Sequence, residues 1–489
     1  MRVVPRICIA VVLATLAGCS SSSDLGIAGS GVDGNGGEDQ FLSDLDRNGF
    51  AVRSVSAGDE ASCEQAQEGV GELIVEGEPG PQLYFDRKPL TQWSTAFVRV
   101  AFSDSDQTRL PTVGDLEDQL LGQDSRVSAY LNSVSYGQFE LLGEFVADVT
   151  LDLPASVDGR AREWEELGTL SLDIPGFVES DYDAWAFVVV SDFGLGGSVS
   201  GLLAPEAVVV NGGPVETLCK YWASFAHVGY FAGDSAGAFQ DTVNDTTAYV
   251  AVPGSDGLEV ETETPLSPFE RTFIHELIHT LEIQTHALSS TNGERMHNAE
   301  EVAGNGDYLW RDYGNRYDVM GTSEFSNGLT TLYRSLLGWI PEERSSTIGE
   351  PGVFDVTLEP LSSSEGIVTA EVRLPGRYFQ GDPFVAASSR TENEGYVFEV
   401  WPTDDPYYWY PSLGLPGGAG GVVIQRTDGY SSALLDASPS ANYQYSWGAE
   451  ADIADVALKP GAEFDDGVIK VSDVVVNAGG SVSFTVELR

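Results

Sequence analysis

The pattern of apolar and polar positions changes character along the chain. After an apolar stretch at 7–16, the sequence up to about residue 90 holds only short apolar runs, such as 72–75 (ELIV). Organised patterning begins near Trp93. Residues 96–102 (AFVRVAF) are β-branched and aromatic and predict a buried strand. Over 113–134, Leu116, Leu120, Leu121, Val127, Tyr130 and Leu131 fall at helical spacing. A second strand is predicted at 145–151. The near-continuous apolar run 183–191 (DAWAFVVVS), ended by Gly194, Gly196 and Gly197, predicts a central one. Alternating strands and helices indicate an α/β or α+β domain. Beyond Trp339 helical periodicity fades. Short β-rich runs at 353–358, 368–372, 396–401, 421–425, 468–476 and 481–488 then predict an all-β, sandwich-like domain of about 140 residues. No repeat of fixed period is present.

One further helix is predicted from 267 onward. Ser267 is a good N-cap, Pro268 suits the first helical position and Glu270 completes a capping box. Phe269, Phe273, Ile274, Leu277, Ile278 and Leu281 give it a wide apolar surface. This helix also carries the chemistry. The chain has five histidines, His227, His275, His279, His286 and His297, and three of them lie between 275 and 286. His275 and His279 are one helical turn apart, so both imidazoles project from one face and can reach one tetrahedral ion. Glu276 sits beside them, where it can take a proton from water as a general base. The candidates for a third ligand are His286, Glu300, Glu301 and His297. His227, alone among aromatic neighbours, reads as structural.

Other segments share a resemblance with this motif. Residues 317–321 (YDVMG) resemble the methionine turn of metzincin-type zinc metallopeptidases, with Met320 one of only three methionines in the chain. The stretch from Tyr313 to Gly321 followed by Leu337-Gly338-Trp339, the upstream 133–139 (SVSYGQF) and 395–400 (GYVFEV) are similar to segments of the gametolysin-like and immune-inhibitor-A-like families. The resemblance spans roughly 95–489 and is densest at 275–279 and 317–339. It implies an α+β metzincin-like catalytic domain with a C-terminal all-β domain, and one catalytic Zn2+ held by His275, His279 and His286. It also implies Glu276 as the catalytic base and Met320 as a structural residue beneath the metal. In the metzincin pattern a glycine turns the chain between the second and third histidines. Here Glu282 occupies that position and the last histidine comes one residue later, implying a wider turn through Gln284 and Thr285. Tyr313 and Tyr317 are candidates to assist an oxyanion or to serve structure, and Asp318 to fix the turn.

Charge and the N-terminus add location. Seventy-five Asp and Glu stand against 25 Lys and Arg, a net charge of −50. A field of that sign excludes nucleic acid and attraction to anionic lipid as modes of binding. It predicts a preference for neutral or basic substrate peptides that weakens with salt. So acidic a chain suits Ca2+ too, but no EF-hand or Gly-Asp repeat names a site. Arg2 and Arg6, the apolar 7–16 and Leu16-Ala17-Gly18-Cys19 form a lipoprotein signal with Cys19 as the lipid-bearing residue. A Ser- and Gly-rich tether follows. The membrane is thus a partner through the lipid anchor only, the expected location is the cell envelope (outer membrane or cell surface) or secreted, and the substrate is protein or peptide. Cys63 and Cys219 remain for a disulfide in an oxidising compartment. The expected organisation is 1–19 signal peptide, 20–90 tether and N-terminal segment, 91–345 metallopeptidase domain and 346–489 sandwich-like domain. A zinc-bearing surface adhesin that does not cleave is the alternative reading.

Overall fold

The computed structural model describes 89–152 (save 109), 170–191 (save 173 and 179–180), strands between 197 and 263, and 265–290 (save 282 and 284–286). It further describes 310–311, 315–321 (save 316), 328–374, parts of 395–437, and 456–489. Cys19, Cys63, Cys219, His286, His297, Glu300, Glu301 and Tyr313 lie outside the described residues. Described helices and strands are mixed. Among the described residues no helix is long and apolar enough to cross a membrane.

The N-terminal sheet is built on strand Gln92–Phe102. It pairs in parallel with Glu140–Leu151 on one side and Ala184–Ser191 on the other. Ala184–Ser191 pairs in parallel with Tyr221–Ala232, which pairs antiparallel with Gly197–Leu202. The run read as a central strand is therefore internal to the sheet, and its continuous apolarity has a physical cause. Ala186, Val188 and Val190 face the helices, whereas Trp185, Phe187 and Val189 enter a second cluster on the opposite face. A strand covered on both faces loses period-2 alternation.

The helical spacing at 113–134 resolves into two helices, α1 (Val113–Leu120) and α2 (Arg126–Val134). α1 stops at Leu121. A Cβ on Gly122 would lie 2.3 Å from the Asp118 carbonyl oxygen, so only glycine fits where the chain leaves the helix. Ser125 then caps α2 by accepting the Ser128 N–H at 3.0 Å. The third helix, α3 (Pro268–Thr280), starts as its sequence dictates. Ser267 Oγ accepts the Glu270 N–H at 3.2 Å and Glu270 Oε2 accepts the Ser267 N–H at 2.7 Å. It lies against the strands Tyr221–Ala232 and Gly197–Leu202. Its residues Phe269, Phe273, Ile274, Leu277, Ile278 and Leu281 enter one core with α1, α2, Met320 and a short fourth helix, α4 (Thr331–Leu336).

All six β-rich runs of the tail are strands. They form two facing sheets. The larger orders Ser345–Ile348, Thr369–Arg373, Gly395–Glu399, Val423–Thr427 and Ser432–Leu434, then continues into Leu288–Ser290 and Trp310–Arg311. The smaller orders Gly352–Leu358, Val482–Leu488, Ile469–Val476 and Phe464–Asp465. Val372, Tyr396, Phe398 and Ile424 of the first pack on Val356, Val471, Phe484 and Val486 of the second. The larger sheet's other face is buried too. Val423, Leu434 and Trp401 pack there against Tyr317 and Ile340. Strands from 288–311 thus complete a sheet otherwise built beyond 345, so the sheet crosses the expected boundary.

Candidate metal centre

α3 brings His275, Glu276 and His279 into the core, between 3 % and 5 % exposed. Three polar side chains buried on one helix require partners. His275 Nδ1 donates to the Val319 carbonyl at 2.7 Å, and His279 Nδ1 donates to the Ile283 carbonyl at 2.6 Å. A carbonyl only accepts, so each Nδ1 carries a proton, and the neutral form of each ring presents the lone pair of Nε2. Those two Nε2 atoms face one another at 3.2 Å, with the rings nearly perpendicular at 84°.

Two lone pairs at that distance repel unless something positive lies between them. One shared proton would leave an imidazolium in a buried site, which is costly. A tetrahedral ion bound at ~2.0–2.1 Å holds two nitrogen ligands ~3.3 Å apart, close to the separation seen. The donor pair fits a zinc ion. A carbonyl that accepts from Nδ1 fixes the tautomer and orientation of a histidine that ligates through Nε2. Among the described residues no group of three or more His, Cys, Asp or Glu side chains is gathered to hold a metal.

The carbonyl that orients His275 belongs to the turn around Met320. Asp318 organises this turn. Its Oδ1 accepts the Met320 N–H at 2.7 Å and its Oδ2 accepts the Thr330 N–H at 2.7 Å. Asp318 is fully buried, and desolvation pushes its carboxyl up to about 7 against the backbone hydrogen bonds from Met320 and Thr330. The Val319 N–H bonds the Gly328 carbonyl at 2.7 Å. A Cβ on Gly321 would lie 1.8 Å from the Asn315 carbonyl oxygen, so a side chain there is sterically forbidden. Met320 is fully buried beside α3 residues in the same core. Tyr317 packs on Trp401 with ring centroids 4.3 Å apart and the rings tilted by 41°, which gives it a packing role against the C-terminal sheet.

The region between the second and expected third histidine is held at both ends. α3 ends at Thr280, with Leu281 as C-cap at φ −81° and its N–H bonded back to the last turn. At the far end the Ala287 N–H donates to the Met320 carbonyl at 2.9 Å, and the Asn315 N–H donates to the Ala287 carbonyl at 3.1 Å. His286 itself lies outside the described residues, as do Glu282, Gln284 and Thr285. His227 lies on strand Tyr221–Ala232 at a register shift, between Ala226 and Val228, which both have partners. Its side chain is outside the description.

Segments scattered in sequence meet at α4 and the residues that follow it. Gln138 Nε2 donates to the Trp339 carbonyl at 2.9 Å, and the Phe139 ring packs on Trp339 at 5.2 Å. Tyr136, at φ +56°, lies beneath the guanidinium of Arg344 at 4.4 Å and near that of Arg334 at 5.3 Å. Glu399, in the GYVFEV segment, accepts the Thr331 N–H and hydroxyl at 2.9 Å each, at the start of α4. Sequence reading did not single out Glu399. The signal was a lone acid inside the apolar run 396–401. Neither a protein-family model nor a curated protein matches this chain significantly.

Proposed function

We propose that the protein is a zinc-dependent endopeptidase. One observation carries this reading: the Nε2 atoms of His275 and His279 face each other at 3.2 Å, each Nδ1 being bound to a backbone carbonyl. When bound there, zinc supplies a Lewis acid that polarises a scissile carbonyl and lowers the pKa of water. His275 and His279 would hold it through Nε2, with His286 as the third donor. The anchoring of Ala287 to Met320 supports His286, since it ties the adjacent residue to the turn that orients His275.

Glu276 follows His275 on the same buried helix and serves as general base. Its carboxylate takes a proton from the attacking water as the water oxygen bonds to the carbonyl carbon. It then delivers that proton to the amine nitrogen as the C–N bond breaks. Met320 packs and does not react. The lipoprotein signal ending at Cys19 supports action at the cell envelope on protein or peptide substrates.

The test is metal content of the purified protein together with casein hydrolysis by wild type and Glu276→Ala. We expect about one zinc per chain in both, and a loss of at least ~100-fold in hydrolysis in the variant. Full hydrolysis by Glu276→Ala refutes the mechanism. Zinc in a wild type that cleaves nothing supports the adhesin reading instead.

A further inference from the structure

We infer that Glu399, contributed by the C-terminal sheet, is a positioning residue for the histidine pair; the inference rests on reading that pair as a metal site. Glu399 is fully buried and surrounded by donors. Oε2 receives the N–H and the hydroxyl of Thr331 at 2.9 Å each. Oε1 receives Trp401 Nε1 at 2.6 Å and the side-chain amide of Gln425. Burial pushes this carboxyl up, and the hydrogen bonds from Thr331 and Trp401 oppose that rise. Arg334, almost fully buried and bound to the Leu329 carbonyl at 2.8 Å, supplies an opposite charge.

The route from Glu399 to the site is short. Thr331 is the first residue of α4, and its neighbour Thr330 gives its N–H to Asp318 Oδ2 at 2.7 Å. Two successive buried N–H groups at the helix start are thus met by two carboxylates, one from the turn and one from the sheet. Asp318 Oδ1 holds Met320, and Val319, between them, presents its carbonyl to His275 at 2.7 Å. Displacing the Thr330–Thr331 corner moves the carbonyl that sets the His275 tautomer. An amide at 399 keeps an acceptor for Thr331 but aims its NH2 at the donors of Trp401 and Gln425. The corner cannot then keep its position without leaving buried groups unsatisfied. The C-terminal sheet is on this account part of the catalytic scaffold.

The test uses the full chain with three variants. Glu399→Gln breaks the arrangement. Thr331→Val removes only the hydroxyl donor and serves if the first variant does not fold. Val486→Ala, in the core between the two C-terminal sheets, lowers stability without touching the route. Zinc affinity is read by competition with a chromogenic chelator, stability by denaturation, and the His275 tautomer by heteronuclear NMR of metal-free protein at fixed pH. We expect Glu399→Gln to lower zinc affinity about 10- to 100-fold and Thr331→Val roughly threefold, with Val486→Ala within about twofold of wild type. We also expect His275 to change from one Nδ1–H tautomer to a mixture in Glu399→Gln. Equal affinity losses in Glu399→Gln and Val486→Ala, or an unchanged His275 tautomer, would overturn the inference. If wild type binds no zinc, the reading of the pair as a metal site fails, and the tautomer alone decides the role of Glu399.

Discussion

Gly321 offers the sharpest test of how the turn supports the site. Its φ is not in the left-handed region, so the argument is steric. A Cβ at 321 would lie 1.8 Å from the Asn315 carbonyl oxygen, 2.7 Å from its carbon and 3.2 Å from the Asp318 oxygen. All three are backbone atoms, which cannot rotate away as a side chain would. In Gly321→Ala the 315–321 turn must open. Overpacking of this kind costs ~1–3 kcal/mol. The turn is closed by the bonds from Asp318 N–H to Asn315 at 3.3 Å and from Gly321 N–H to Asp318 at 2.9 Å, and losing one adds ~1 kcal/mol. We therefore expect a destabilisation of about 3 kcal/mol in metal-free protein, measured by urea denaturation. Because the same turn carries the Val319 carbonyl bound to His275, zinc affinity should fall by about tenfold or more. Wild-type stability together with wild-type zinc affinity in Gly321→Ala would refute this account of the turn.

Other outcomes follow from the same structure. Glu371 is buried beside Arg373, and desolvation pushes its carboxyl up to about 7. A carboxyl raised on folding favours the fold while protonated, and that contribution is lost as pH rises from about 4.5 through 7. Between pH 5 and pH 8 the stability difference between Glu371→Gln and wild type should shift by ~3 kcal/mol towards the variant, and a pH-independent difference would contradict it. In Glu270→Ala the capping box of α3 and the 2.8 Å ion pair with Arg126 disappear together. Arg126 is partly exposed, so we expect a moderate loss of ~2 kcal/mol by denaturation. Removing zinc with a chelator should lower the melting temperature, by an amount that grows with the logarithm of the free zinc present before removal, and far-ultraviolet circular dichroism should still report folded protein. Unfolding on chelation would show that the apolar core around α3 does not hold the helix.

Legibility in the sequence followed the range of the interactions. The start of α3 was readable because Ser267, Pro268 and Glu270 act on their own backbone within one turn. The His275–His279 pair was readable because helical spacing alone puts both rings on one face. The strands were readable from their β-branched and aromatic runs. The 113–134 stretch was less so, since Leu116, Leu120, Val127 and Tyr130 enter one core and share a period across the Gly122 break. The extension of the C-terminal sheet back across 345 was not readable at all. Leu288–Ser290 and Trp310–Arg311 are too short to announce a strand, and they belong to the C-terminal sheet only through pairing with Ser432–Leu434 and with each other.

The sequence by itself determined the helix, the histidine spacing, the adjacent acid and the β-rich tail, all set by contacts within a turn or by local periodicity. Only the tertiary structure decided which carbonyls lock His275 and His279 into the tautomer that turns both Nε2 atoms inward. Only it showed that Asp318 and a distant Glu399 share the start of α4. Those groups meet across 44 residues from His275 to Val319 and 68 from Thr331 to Glu399. Hydrogen bonds of that range leave no periodic mark on a chain, because each depends on one atom reaching one other after the core has packed.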